Sequence, residues 1–357
     1  MTPGKPVRLM RRRAVLGGVG AALAAPAIAT AQSAPTVTIA TFPGVSGALW
    51  RDAVAVPFTA QSGIRTEVFE AALPSMSIYQ ARGKPQFDVA VVANYQGPGL
   101  SARGLLEELT PDDIPSIRQV PEANWLRGTN GKLLGMPLYF TYYGIAFNSD
   151  LATAKDFQSW NDLLEAKWKG KVSLTRPNFL AAYDLTLFAH LNGGNDTDVQ
   201  SGFAFIKRLA DNALGMYSSM ASLQSQIGRG EVVAAPFYSN QVGMLKRSGV
   251  RNVDITLPRE GGLNLTYNLV IPKGARNVAG AKKLLNAIIE EQYQLGFARG
   301  ALSFPANPNV KLPDDLLAEL GGSTREMMTR NYTPDWWVVG THLTERTRQV
   351  EELLQAR

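Results

Sequence analysis

The order of elements predicts an α/β fold: parallel sheets covered by helices on both faces. Three observations carry the prediction. Residues 36–41 alternate with the period of a half-buried strand, and residues 87–92 form the nearly continuous apolar run of a buried one. The segments between and after them switch repeatedly between strand and helix patterning, the signature of such sheets.

Taken in order, the first strand runs into the turn-prone Phe42-Pro43-Gly44. A helix is expected over 48–61, a strand over 65–69, a helix over 75–82, and then the strand 87–92. Ligands of such sheets bind beyond the carboxyl ends of the strands, here residues 42–46 and 93–96. A second set of signals begins after Asn148. Ser159 is placed to cap a helix, and a strand over 170–175 enters a loop at Arg176-Pro177. Helices are expected over 179–191 and 199–211, and a buried strand over 232–237. A strand over 263–271 is stopped by Pro272, and residues 278–299 have the pattern of one long amphipathic helix.

At 357 residues, 45% apolar and 18% charged, the chain has the composition and length of a two-domain globular protein. It has no Cys, which excludes a disulfide framework, a thiol nucleophile and cysteine-based metal sites. The net charge of +6 invites a nucleic-acid or membrane-surface reading, but its distribution argues otherwise. Residues 1–31 hold five Lys and Arg and no acid, so removing them from 36 against 30 leaves 31 against 30, a net of +1. That segment is built as an export signal: a basic start, an apolar stretch over 14–28 and Ala29-Thr30-Ala31 as a cleavage site. Arg12-Arg13-Ala14-Val15-Leu16 resembles a twin-arginine signal. The stretch is shorter than the ~20 residues of a membrane span and contains Pro26, so cleavage before Gln32 and a soluble periplasmic protein are expected. No nucleic acid is expected as a partner.

Catalytic signatures are missing. His190 and His342 have no partner at metal-ligand spacing; the first is expected in the core and the second on the surface. No nucleophile elbow, phosphate loop or zinc motif occurs, so no catalytic residue, metal or cofactor is assigned. Aromatic and small polar groups instead gather at expected loop and strand ends: Phe42, Asn94-Tyr95, residues 139–143, Tyr183, Phe237-Tyr238 and Tyr267. Rings with hydroxyls suit a pocket, the rings as apolar walls and the hydroxyls to orient a ligand. Tyr139, Phe140 and Phe237 fit a core role equally well.

Several stretches resemble the periplasmic solute-binding proteins of ABC transporters, in particular the spermidine/putrescine-binding group. They are Pro258-Arg259-Glu260-Gly261-Gly262-Leu263 followed by residues 269–277, Ser159-Trp160-Asn161-Asp162-Leu163 with residues 168–172, residues 143–148, Gly230-Glu231 and Phe304-Pro305-Ala306-Asn307. The resemblance implies a two-lobed periplasmic binding protein fold of type II, each lobe a sheet flanked by helices, joined by hinge strands. One lobe would take 34–143 plus 268–304 and the other 144–267 plus 305–357. It implies a monomer without catalytic activity that closes on a small-molecule solute and docks on a membrane permease. The ligand-binding residues expected are Phe42, Asn94, Tyr95, Tyr142, Arg176, Tyr238 and Tyr267, of which Tyr95 and Tyr238 are the ones the resemblance implies. Tyr267 stands where polyamine binders place an Asp, and Thr175-Arg176-Pro177-Asn178 replaces an acidic loop. Arg176 therefore favours an anionic group, a carboxylate foremost, unless it pairs with a surface acid. A polyamine stays open through Asp184 or Glu260. Ferric iron stays open through Tyr142, Tyr143, Tyr238 and Tyr267, and an exported carboxylate-dependent hydrolase is the alternative of another class.

Overall fold

Two strands that each run through two cores organise the fold. The computed structural model describes residue 1, residues 35–128 and residues 130–355, so the rest of the expected export segment lies outside the described residues. The strands are β1 (Thr36–Thr41), β2 (Arg65–Glu70), β3 (Val89–Ala93), β4 (Gly135–Asn148), β5 (Val172–Leu174), β6 (Ala213–Met216), β7 (Ala234–Tyr238), β8 (Val253–Thr256), β9 (Leu263–Val270) and β10 (Phe304–Pro305). They hydrogen-bond in the order β2-β1-β3-β9-β4-β7-β5-β6, with β8 and β10 pairing β4 off that path. β1 is parallel to β2 and β3, and β5 is parallel to β6 and β7. Between these parallel groups, β9 and β4 are antiparallel to each other and to their neighbours.

β4 pairs β9 from Gly135 to Tyr143, then β7 and β8 from Tyr143 to Asn148. Its first half buries Met136 and Leu138 with Val37, Ile39, Val91 and Leu269 in one core. Its second half buries Ile145 and Phe147 with Trp160, Phe188 and Leu263 in another. Period-two alternation sends Ala40, Ala90 and Val92 to the opposite face of the first sheet, under Ile78 and Leu100. Each fully buried aliphatic or aromatic side chain contributes ~1.5–3 kcal/mol, which makes both cores substantial. Asp88 sits at the start of the buried strand because its carboxylate accepts from the amides of Thr38 and Asn277, tying β1 to the helix Val278–Ala287.

Ser159 does cap, accepting from the amide of Asn161, although the helix it starts is a short 3₁₀ segment, Trp160–Leu164. The long helix expected over 278–299 is instead two, Val278–Ala287 and Glu291–Ala301. Fully buried Ile288 and Ile289 occupy the break, where the Gln294 amide donates to the Ile288 carbonyl. Residues 139–143 lie inside β4, not at a strand end. His190 is exposed and stacks flat on Tyr332 at 3.8 Å, not buried in the core. No helix among the described residues is long and apolar enough to cross a membrane.

Candidate functional site

The carboxyl ends of β1, β3, β5 and β7 face one cleft, and the loops leaving them build its walls. After β1 the chain turns through Gly44, whose φ of 74° lies in the left-handed region. The Glu70 carboxylate accepts from the Gly44 amide and pairs with Arg51. Those partners, the Arg51 guanidinium foremost, hold the Glu70 carboxyl below its ordinary range. A β-carbon at Gly47 would come within 2.2 Å of Glu70 Oε1, so a larger residue there would displace the Glu70 side chain. This fastening presents Phe42. After β3, Asn94 Oδ1 accepts from the Tyr95 amide and Gln96 Oε1 from the Ala93 amide, fixing the turn that presents Tyr95.

Phe42, Tyr95, Tyr183, Tyr238 and Tyr267 line a cavity of about 140 Å³, with Asn240 and Gln241 at its edge. Tyr183 anchors the wall: its ring lies 5.6 Å from Tyr95 and 6.0 Å from Tyr238, both edge-on, and stacks parallel on Phe179 at 5.8 Å. On the other side Tyr267 packs edge-on to Phe42 at 6.1 Å and against Tyr139 at 5.3 Å. Burial pushes the Tyr95, Tyr183, Tyr238 and Tyr267 hydroxyls above the ordinary phenol value. They are neutral near pH 7 and act as hydrogen-bond donors and acceptors.

The aromatic cavity adjoins a cleft of about 820 Å³, with which it shares Leu73, Tyr95, Gln96 and Phe179. Arg176 lines that cleft with its guanidinium 4.7 Å from the Phe179 ring, and it is exposed. No carboxylate pairs with it among the described residues. Arg103 lines the same cleft, donating to the Gly99 carbonyl. A further cavity of about 280 Å³ lies beyond Phe42 and Tyr267. No Asp or Glu lines any of the three, so their formal charges are two arginines.

Four of the seven sequence-derived residues, Phe42, Tyr95, Tyr238 and Tyr267, thus meet in one cavity, with Arg176 in the adjoining cleft. Two do not join them. Tyr142 is buried among Phe140, Leu302 and Phe304, away from the cleft, and its hydroxyl is pushed up to about 12 by burial. Asn94 lines a different cavity, on the other side of β9. Asp184 is fully buried beneath the aromatic wall, accepting from the Tyr143 hydroxyl at 3.0 Å, and burial raises its carboxyl to about 8. Glu260 accepts from Ser159. Neither acid lines the cleft, so neither supplies the charge a polyamine would need there. Sequence reasoning passed over Phe179, although Arg176, Phe179 and Tyr183 have the i, i+3, i+7 spacing that signals a common wall, and the Phe179 ring does contact both.

A family model described as bacterial extracellular solute-binding protein matches residues 53–319. The spermidine/putrescine-binding periplasmic protein 1 of Haemophilus influenzae is 27% identical over 65% of this chain, and the match spans 65% of that protein's length. A Salmonella typhimurium periplasmic protein assigned provisionally to 2-aminoethylphosphonate binding is 25% identical over 72% of this chain and 74% of its own. Among solved structures, the spermidine/putrescine substrate-binding protein of Streptococcus pneumoniae superposes with a TM-score of 0.67 at 18% identity, over 88% of this chain and 99% of that one. Iron-bound HitA from Pseudomonas aeruginosa gives 0.68 at 18%, with the same coverage. At such identities these structures speak for the fold alone, which is the two-lobed periplasmic binding protein fold.

Proposed function

The chain belongs to the bacterial extracellular solute-binding protein family, and on that premise we propose that it is the solute-capturing component of an ABC importer. It acts outside the cytoplasmic membrane as a monomer, performs no chemistry itself, and delivers a small organic solute bearing a carboxylate or phosphonate to a membrane permease. The lobes are residues 34–143 plus 268–304 and residues 144–267 plus 305–357, with β4 and β9 as hinge strands. In support, both strands contribute to both cores. Phe42 and Tyr95 come from the first lobe and Arg176, Tyr183, Tyr238 and Tyr267 from the second. A solute touching both sets gains contacts only when the lobes close, and that differential drives closure.

The carrying observation is the charge of the cleft: two arginines and no carboxylate. A diamine entering it would lose water from two ammonium groups and gain no counter-charge for either. A carboxylate or phosphonate meets the planar donor fork of Arg176 while its carbon chain lies on neutral aromatic rings. A thermal-shift screen over 2-aminoethylphosphonate, 4-aminobutyrate, dicarboxylates, putrescine, spermidine and Fe³⁺ tests this. An anion at a hundred times its Kd should stabilise by ~2.7 kcal/mol, a rise of several degrees in Tm. A rise with putrescine or spermidine alone would overturn the proposal.

Ferric iron is the second reading, favoured by the convergence of four tyrosines on one cavity. It requires tyrosinates, against the direction in which burial moves these phenols. A visible charge-transfer band on adding Fe³⁺ would establish it; a colourless protein would remove it.

A further inference from the structure

Alternation along β9 gives that strand two functional faces. Tyr267 faces the aromatic cavity, while its neighbours Thr266 and Asn268 line a separate cavity of about 630 Å³ on the reverse side. Its other walls are the 122–128 loop, with Trp125, and the start of the C-terminal helix Trp336–Gln355, with Trp336 and Trp337. The size lies within the ~300–1,000 Å³ of ordinary small-molecule sites.

Its buried polar groups are unsatisfied in a pattern. Asn268 is 1% exposed, and neither its amide nitrogen nor its oxygen has a partner. Asn94, 2% exposed, spends its oxygen on the Tyr95 amide and leaves Nδ2 unpaired. Trp336, 7% exposed, has an unpaired indole N–H. Buried polar groups call for hydrogen-bond partners, and these three side chains surround one cavity. Of the charges at the rim, Glu122 pairs with Arg127 at 3.1 Å, whereas Asp335 accepts from the amides of Trp337 and Val338 at the helix start and has no cation beside it among the described residues.

We propose that this cavity is a second binding site, back to back with the first, for a neutral sugar. Sugar hydroxyls both donate and accept, which matches the unpaired donors of Asn94, Asn268 and Trp336 and the unpaired acceptor of Asn268. The C–H face of a sugar ring packs on indoles, and three of them line the cavity. An anion finds no free cation there among the described residues and meets the Asp335 carboxylate.

Isothermal titration calorimetry with D-glucose, maltose and myo-inositol tests the assignment on wild type, Asn268→Leu and Trp336→Phe. The last variant removes one N–H and keeps the rest of a ring wall, so loss of binding with an unchanged unfolding curve is not a folding defect. At least one probe should bind wild type one to one and bind both variants tenfold or more weakly. It should bind Tyr238→Ala, altered in the other cavity, as well as wild type. Absence of binding by all three probes overturns the proposal. So does binding that both variants leave intact, binding lost in Tyr238→Ala, or a sugar-soaked crystal with only water on Asn94 and Asn268.

Discussion

Replacing Asp184 by Asn should change how stability depends on pH. In the native chain, burial holds this carboxyl at about 8, whereas in the unfolded chain it titrates near ~4. Between those values the unfolded state has released a proton that the native state keeps. Stability therefore falls as pH rises, by at most ~1.4 kcal/mol for each pH unit. The penalty is absent below about pH 4 and complete above about pH 8. The carboxamide of the Asp184→Asn variant has no proton to lose, and its oxygen can still accept from the Tyr143 hydroxyl that bonds Asp184 Oδ2 at 3.0 Å. Near pH 5 the unfolded carboxyl is already ionised, so the variant should lead by ~1.4 kcal/mol, one pH unit above ~4, modified by up to ~1 kcal/mol for the altered hydrogen bond. By about pH 7 the variant should have gained a further ~2–3 kcal/mol on wild type, one proton's worth over two pH units. Urea unfolding monitored by circular dichroism at about pH 5, 6, 7 and 8 measures this. Parallel curves for the two proteins would refute the buried, neutral Asp184.

Three further outcomes follow from particular contacts. Gly340→Ala would bring a β-carbon to 2.6 Å from the Tyr95 carbonyl and 2.7 Å from Pro98 Cγ, and should cost ~1–3 kcal/mol in urea unfolding while weakening solute binding through displaced Tyr95. Gly262→Ala places its β-carbon 1.9 Å from the Tyr143 carbonyl, between β4 and β9, and should lower Tm by more than Gly340→Ala does. Tyr238→Phe keeps the ring contacts with Tyr143 and Tyr183. It should leave Tm within a few degrees while weakening solute binding about three- to tenfold, the value of one hydrogen bond, by calorimetry.

The helix-flanked sheets were legible because strand and helix periodicities differ and because Gly and Pro punctuate the chain. The aromatic cavity was legible in part: Tyr238 ends β7 and Tyr95 lies two residues past β3, at strand ends that point to one cleft. Tyr142 was misplaced for a reason inherent to strands. In β4 it alternates with Tyr143, and nothing local in Tyr142-Tyr143 says which ring faces the cleft side and which the packing of Phe304 and Leu316. The break near Ile288 was invisible because two buried isoleucines suit a helix as well as the corner that inserts them into the core. Asn94 was identified as a binding residue from its place after β3, but its cavity is formed by loops far apart in sequence, the 122–128 loop and residues 333–337.

Calorimetry of 2-aminoethylphosphonate and putrescine against wild type and Arg176→Ala tests the central claim most directly. Wild type should bind the phosphonate and not the diamine. Arg176→Ala should bind the phosphonate about ten- to a hundredfold more weakly, the value of about 1.5–3 kcal/mol for a hydrogen bond to a charged group. Tight putrescine binding by wild type, unchanged or strengthened in Arg176→Ala, would contradict it.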